Sequence, residues 1–151
     1  FLLLSGTRGL PPFLATDSGV ESGLMIAQYT AAALVSQNKQ LATPTVVDTV
    51  PSSNGQEDHV SMGANGVNRL RPMLDNAMTV QAIEWLTAIR AMSYRQEGLG
   101  PVLHRWVAQY GQQVTLPSGD AQWSLYMQAT LDFMRSMPLD SLAVTTATTP
   151  N

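Results

Sequence analysis

A long apolar stripe at helical spacing occupies the middle of the chain. Apolar side chains recur there at steps of three and four residues, in two runs: Val67, Leu70, Leu74 and Met78, then Ile83, Leu86, Ile89 and Met92. This spacing places them along one face of an α-helix. We therefore predict a long helix over residues 58–96, which Pro72 kinks or splits and which Gly98 and Gly100 end.

A second periodic stretch predicts another long helix, over residues 20–42. Its apolar positions are Leu24, Ala27, Ala31, Leu34 and Val35. At 1.5 Å per residue this helix would be about 33 Å long. That length is unusual for a small isolated domain and typical of a helical bundle.

The other segments complete a single helical region over residues 1–151. Proline and glycine mark an irregular start at 1–19, and a proline-containing loop follows at 43–57. Two shorter helices are predicted within 101–134, and the tail at 139–151 has no periodicity. No convincing strand is found, so we predict an all-α, long-helix bundle. The apolar stripes are broad, and we expect part of them to be covered by something outside this chain.

Charge and cysteine content exclude several classes of function. The eight basic and eleven acidic residues give a formal net charge of -3, which favours neither nucleic acid nor an anionic membrane. The absence of cysteine removes disulfides and thiolate sites and fits a reducing, cytoplasmic compartment. Two histidines are too few for a zinc site on their own, so no metal site is predicted. No run approaches the roughly 20 apolar residues of a membrane span.

A polar string stands between the two long helices. Gln56, Glu57, Asp58 and His59 are consecutive, in a chain with only 13% charged residues. One interpretation is a helix N-terminus, where acidic side chains meet the positive end of the helix dipole. The other is a polar cluster beside a pocket, where Glu57 serves as a base and Gln56 binds the substrate. Composition and spacing do not decide between the two.

The sequence around this string resembles the carboxy-terminal part of enzymes of the aromatic amino acid ammonia-lyase and aminomutase family. Within that family it resembles the histidine ammonia-lyases most. The resemblance covers residues 9–63 and continues as a helical pattern from 67 to about 142. Its most specific motifs are "SGLMIAQYTAAALVS", "NK" and "QEDHVSMG". Three departures stand out. Gly55 replaces a usual Asn, Glu21 stands where Asn is common, and "TPTVVDT" replaces the usual "HPASVDS".

This resemblance implies a nearly all-helical fold of the fumarase and aspartase kind that assembles as a homotetramer. The family eliminates ammonia from His, Phe or Tyr to give an arylacrylate, or moves the amino group from the α to the β carbon. Its electrophile is 4-methylidene-imidazole-5-one (MIO), formed from an Ala-Ser-Gly of the chain, and three subunits build each active site. The expected partners are an aromatic amino acid, the rest of the polypeptide and sister subunits. Nucleic acid and membrane are not expected.

The resemblance also assigns roles to individual residues. Glu57 matches the family's acidic or amide position in the aromatic pocket, and we predict that it contacts the substrate ring or assists deprotonation. Gln56 and Met25 are predicted to bind the substrate, although Met25 equally suits a helix core. Asp58 and His59 are expected to hold the loop and the helix start together.

The chain contains no Ala-Ser-Gly, so it cannot form the MIO group itself. The resemblance therefore implies a carboxy-terminal fragment, cut at or before Phe1, that supplies one wall of an active site and is inactive alone. We expect the intact enzyme to be of the histidine type, giving urocanate. A tyrosine or phenylalanine lyase and a 2,3-aminomutase are the alternatives. In another class, a truncated, non-catalytic helical interaction module also fits.

Overall fold

The computed structural model describes residues 1–47, 49–95 and 98–138. Four α-helices form within them: α1 (Met25–Leu41), α2 (Gly63–Met92), α3 (Pro101–Gln113) and α4 (Trp123–Ser136). Short 3-10 helices occur at Leu2–Leu4 and Ser53–Gly55. No β-strand occurs in the described ranges, so the predicted all-α class is confirmed. None of these helices is both long and apolar enough to cross a membrane.

The chain divides into two compact units. The first comprises residues 1–28 together with those from 82 onward, and the second comprises residues 29–81. The first unit therefore contains α3, α4 and the end of α2. The second contains most of α1 and the larger, N-terminal part of α2.

Helix α1 begins at Met25, later than the predicted start at residue 20. The preceding backbone turns instead, because Gly23 has φ +54 and a Cβ there would lie 2.5 Å from the Phe13 carbonyl oxygen. Only glycine fits such a position. The amides of Ser22 and Gly23 donate to the carboxylate of Asp120, at 2.9 and 2.7 Å. That carboxylate lies 98 positions along the chain from Ser22, which is why the local sequence does not reveal this start.

Helix α2 begins at Gly63 instead of residue 58 and ends at Met92. The predicted end, Gln96, lies outside the described residues. The helix is continuous through Pro72. Proline removes the hydrogen bond to the carbonyl four residues earlier, which here belongs to Asn68. Both residues are exposed, so water can satisfy that carbonyl.

Helices α3 and α4 occupy the region predicted for two shorter helices, 101–134, and α4 extends to Ser136. Pro101 is the first residue of α3, where its missing amide hydrogen costs nothing. The predicted tail, 139–151, lies outside the described residues.

An aromatic cluster joins α3 and α4 to the end of α2. Tyr110, Val114 and Phe133 are buried at its centre. The Tyr110 and Phe133 rings meet edge to face with centroids 5.2 Å apart, and Trp85 lies 5.9 Å from Phe133. At these separations aromatic pairs attract each other beyond the area they bury. The cluster therefore forms the hydrophobic core between these helices.

The hydroxyl of Tyr110 is tied into this core. Tyr110 is 1% exposed, and its hydroxyl oxygen lies 2.8 Å from Thr130 Oγ1. Thr130 has one hydroxyl proton, which it donates to the Tyr126 carbonyl oxygen at 2.7 Å. Tyr110 is therefore the donor to Thr130. Burial raises the pKa of Tyr110.

A buried arginine ties two loops to helix α2. The guanidinium of Arg90, which is 6% exposed, donates to neutral oxygens from two segments: the Leu14, Pro117 and Ser118 carbonyls and the Thr16 hydroxyl. A buried charge is tolerated only where hydrogen bonds replace its water. These acceptors fill that role here. Arg90 therefore fixes both loops against α2.

In the second unit, amide side chains link α1 to α2. The Asn76 side-chain nitrogen lies 2.9 Å from both the Gln37 and the Asn38 side-chain oxygens. The Asn38 side-chain nitrogen in turn donates to the Met73 carbonyl oxygen at 3.0 Å. These hydrogen bonds fix the register of the two helices.

The apolar stripe of α2 is covered over only half its length. Ile83 and Leu86 are 4% and 0% exposed, whereas Val67, Leu70 and Leu74 are 69%, 52% and 57% exposed. Within the described residues the N-terminal half of the stripe is therefore uncovered.

Replacing Arg90 by Met is expected to destabilise the first unit by about 3 kcal/mol, because it removes the charged donor from three backbone carbonyls and one hydroxyl. Unfolding in urea can be followed by tryptophan fluorescence, since all three tryptophans, Trp85, Trp106 and Trp123, belong to this unit. Arg105→Met on the exposed side of α3 is the control, expected to change stability by less than about 0.5 kcal/mol. Equal effects of the two substitutions would contradict the role of Arg90.

The raised pKa of Tyr110 predicts a loss of stability at high pH. Tyrosines of the unfolded chain ionise near pH 10, while Tyr110 stays protonated in the fold. The free energy of unfolding should therefore be undiminished below pH 10 and fall above it, by at most about 1.4 kcal/mol per pH unit from this group. In Tyr110→Phe that contribution is absent, so the stability gap between the two proteins should narrow from pH 9 to pH 11. Urea unfolding followed by circular dichroism measures this, and a gap that widens would refute it.

Candidate functional site

The predicted site residues Gln56 and Glu57 lie in a closed loop of the second unit, residues 49–60, which we call the site loop. Ser52 and Glu57 pair as an isolated antiparallel bridge, with backbone N···O distances of 2.9 and 3.2 Å. Beyond them, Thr49 Oγ1 accepts a hydrogen bond from the Val60 amide at 2.8 Å. These contacts hold Glu57 and Val60 within the loop, which explains why α2 starts after them.

The turn of the site loop is built from three left-handed residues in succession. Ser53, Asn54 and Gly55 have φ values of 51°, 55° and 83°. Left-handed backbone is cheap for glycine, tolerated by asparagine and costly for most others. Gly55 stands where the family usually has Asn, and both types suit this conformation. The substitution therefore does not by itself displace Gln56.

The polar string of the site loop faces solvent in this chain. Gln56, Glu57, Asp58 and His59 are all exposed. One carboxylate oxygen of Glu57, Oε2, lies 3.2 Å from the Ser52 hydroxyl oxygen. The first turn of α2, which begins at Gly63, contains no acidic residue. The helix-dipole interpretation therefore does not account for these carboxylates, because the dipole acts only within the first turn.

Met25 is the first residue of α1 and is half-buried, next to the fully buried Leu24. It belongs to the first unit, whereas Gln56 and Glu57 belong to the second. The roles of all three residues in substrate binding or catalysis stay predictions.

Other parts of the described chain offer less for chemistry. No three His, Cys, Asp or Glu side chains of residues 1–47, 49–95 and 98–138 lie close enough to hold a metal ion. A groove of about 540 Å³ in the first unit is lined by Arg90 and Tyr94. The Arg90 guanidinium already serves backbone and hydroxyl oxygens, so it is poorly placed to recruit a ligand carboxylate.

Sequence reasoning missed the parts of the site that close the loop. The hydroxyls of Thr49 and Ser52 were not singled out, although they make the contacts to Val60 and Glu57. A signal was present in Asn54–Gly55, since Asn-Gly is the strongest short-range indication of a hairpin turn.

The sequence of this chain is similar to those of known lyases. Residues 2–112 match the aromatic amino acid lyase family. The chain is 58% identical over 95 residues to the histidine ammonia-lyase of Streptomyces avermitilis, a match that covers 63% of this chain and 18% of that protein. It is 41% identical over 143 residues to a probable histidine ammonia-lyase of Thermoplasma acidophilum, covering 91% of this chain and 29% of that protein.

The fold is also similar to a solved structure. The crystal structure of histidine ammonia-lyase from Trypanosoma cruzi superposes with a TM-score of 0.82 and 28% sequence identity, over 92% of this chain and 30% of that one. The chain thus spans between about a fifth and a third of the length of the relatives it matches.

The left-handed turn predicts a difference between two substitutions at Gly55. A Cβ added there meets no atom within 4 Å, so only the backbone conformation is tested. Gly55→Asn should keep the loop closed, whereas the β-branched Gly55→Val should open it at a cost of about 1–2 kcal/mol. Hydrogen exchange of the Ser52 and Glu57 amides, measured by NMR, reports closure directly because both donate across the bridge. Equal protection in the two variants would contradict the turn geometry.

Proposed function

The chain belongs to the aromatic amino acid lyase family, and on that basis we propose that it is part of a histidine ammonia-lyase, which eliminates ammonia from L-histidine to give urocanate. The resemblance in its motifs and the predicted helical lyase fold are confirmed. The observation that carries the choice of histidine is the 58% identity to a histidine ammonia-lyase over 95 residues.

Within this proposal Glu57 acts at the aromatic ring of the substrate or assists its deprotonation. Its support is the closed site loop, which presents an exposed carboxylate on a backbone held by two interstrand hydrogen bonds. Because the Glu57 carboxylate does not cap a helix, it can act as a base or accept a hydrogen bond from a ring N–H. Gln56, its neighbour, and Met25, at the start of α1, are assigned to substrate binding.

The MIO group must come from elsewhere. The residues of this chain do not fit its formation, because the sequence contains no Ala-Ser-Gly. The chain by itself therefore contributes pocket wall and interface, and we propose that it is inactive alone. We assign no reaction step to the group here.

The partners proposed are the rest of the polypeptide and sister subunits of a homotetramer. The uncovered stripe of Val67, Leu70 and Leu74 supports this, because exposed apolar surface of this kind marks association sites. The absence of cysteine fits a cytoplasmic enzyme.

The test is a kinetic assay of the complete protein encoded by the gene that carries this sequence. Urocanate should appear from L-histidine, and the 151-residue chain alone should release no ammonia from His, Phe or Tyr. Coumarate, cinnamate or a β-amino acid as the main product would replace histidine specificity by one of the related activities. No turnover by the complete protein would support the non-catalytic interaction module instead.

In the complete protein Glu57→Gln should lower kcat for histidine by at least about a hundredfold, the range expected for loss of a catalytic acid or base. Glu84→Gln is the matched control, since Glu84 is also exposed but lies on α2, and it should leave the kinetics unchanged. Unaltered rates and substrate preference in Glu57→Gln would remove Glu57 from the catalytic account.

A further inference from the structure

We propose that Ser52 is a positioning residue that holds the Glu57 carboxylate in its working orientation. This inference rests on the proposed function, because it assigns Ser52 a role through Glu57. It concerns a residue outside the Gln-Glu-Asp-His string.

The bridge places the two side chains together. Ser52 and Glu57 are directly opposite each other in an antiparallel pair, and opposed residues of such a pair project from the same face, with Cβ atoms about 5 Å apart. The Ser52 hydroxyl oxygen lies 3.2 Å from Glu57 Oε2. An ionised carboxylate has no proton to give, so Ser52 is the donor.

The hydrogen bond from Ser52 occupies only one of the two carboxylate oxygens of Glu57. Oε2 is bound by Ser52, while Oε1 has no hydrogen-bond donor among the residues that the structure describes. A carboxylate oxygen can accept more than one hydrogen bond. Ser52 can therefore orient the group while Oε1 remains available to the substrate.

Orientation matters here because Glu57 is exposed. A glutamate side chain has several rotatable bonds and loses considerable freedom when it is fixed. A hydrogen bond from a rigid neighbour removes part of that freedom before the substrate binds. The backbone of this neighbour is held by two hydrogen bonds across the bridge, which the left-handed turn at Ser53, Asn54 and Gly55 makes possible.

A purely structural role of Ser52 is distinguishable from positioning. The bridge itself uses the backbone of Ser52 and Glu57, which Ser52→Ala preserves. Ser52→Ala removes the hydroxyl alone, whereas Ser52→Thr keeps it. A residue that acts through Glu57 must also lose its effect once Glu57 is replaced, which a double-mutant cycle measures.

The experiment is steady-state kinetics on L-histidine with the complete protein, comparing Ser52→Ala, Ser52→Thr, Glu57→Gln and the double variant Ser52→Ala/Glu57→Gln. Ser52→Ala should lower kcat about tenfold with little change in KM, and Ser52→Thr should restore most of it. Adding Ser52→Ala to Glu57→Gln should cause less than a twofold further loss. Ser36→Ala, which removes an exposed hydroxyl of α1 outside the site loop, is the control and should match the unsubstituted protein.

A Ser52→Ala rate equal to that of the unsubstituted protein, while Glu57→Gln is slow, would overturn this inference and leave the proposed function standing. A tenfold loss that persists in the Glu57→Gln background, or that Ser52→Thr does not repair, would likewise make Ser52 structural. An unsubstituted protein that releases no ammonia from any aromatic amino acid would overturn the proposed function and the inference with it. If Ser52→Ala loses its helical circular dichroism, Ser52→Cys replaces it, with a weaker donor and an expected intermediate rate.

Discussion

The buried guanidinium of Arg90, whose hydrogen-bond acceptors among the described residues are all neutral oxygens, organises the first unit. Arg90 draws the carbonyls of Leu14, Pro117 and Ser118 towards α2. Asp120, two residues beyond Ser118, then accepts the amides of Ser22 and Gly23. Because those amides immediately precede α1, the position of Met25 depends on a chain of polar contacts that starts at one charge. The energy of this arrangement comes from hydrogen bonds that replace the water around a buried cation.

In the second unit, a left-handed turn closed by a backbone bridge shapes the site loop. Three left-handed residues turn the chain, and the Ser52–Glu57 pair closes it. Backbone strain of this kind persists only where surrounding contacts fix it, and it is common at functional sites. The resulting loop presents Glu57 in a defined backbone position although the side chain itself is exposed. Together with family membership, this is what makes Glu57 the centre of the proposed chemistry.

The sequence predicts those features of the structure that depend on residues close together in the chain. Apolar spacing indicated α2, and the motif around Glu57 indicated the family. What local patterns could not supply came from distant residues: the start of α1 at Met25 depends on Asp120, 97 positions from Gly23. The late start of α2 had a nearer cause. The bridge and the Thr49 contact hold residues up to Val60 in the loop, and the Asn-Gly dipeptide at its turn is the local signal for this closure.

We propose that Glu57 lies against the aromatic substrate once the remaining protein completes the pocket. A crystal structure of the complete protein with a histidine analogue bound tests it most directly. We expect a Glu57 carboxylate oxygen within about 3 Å of a ring nitrogen of the analogue. A Glu57 side chain that points into bulk solvent in the complete assembly, away from the bound analogue, would contradict it.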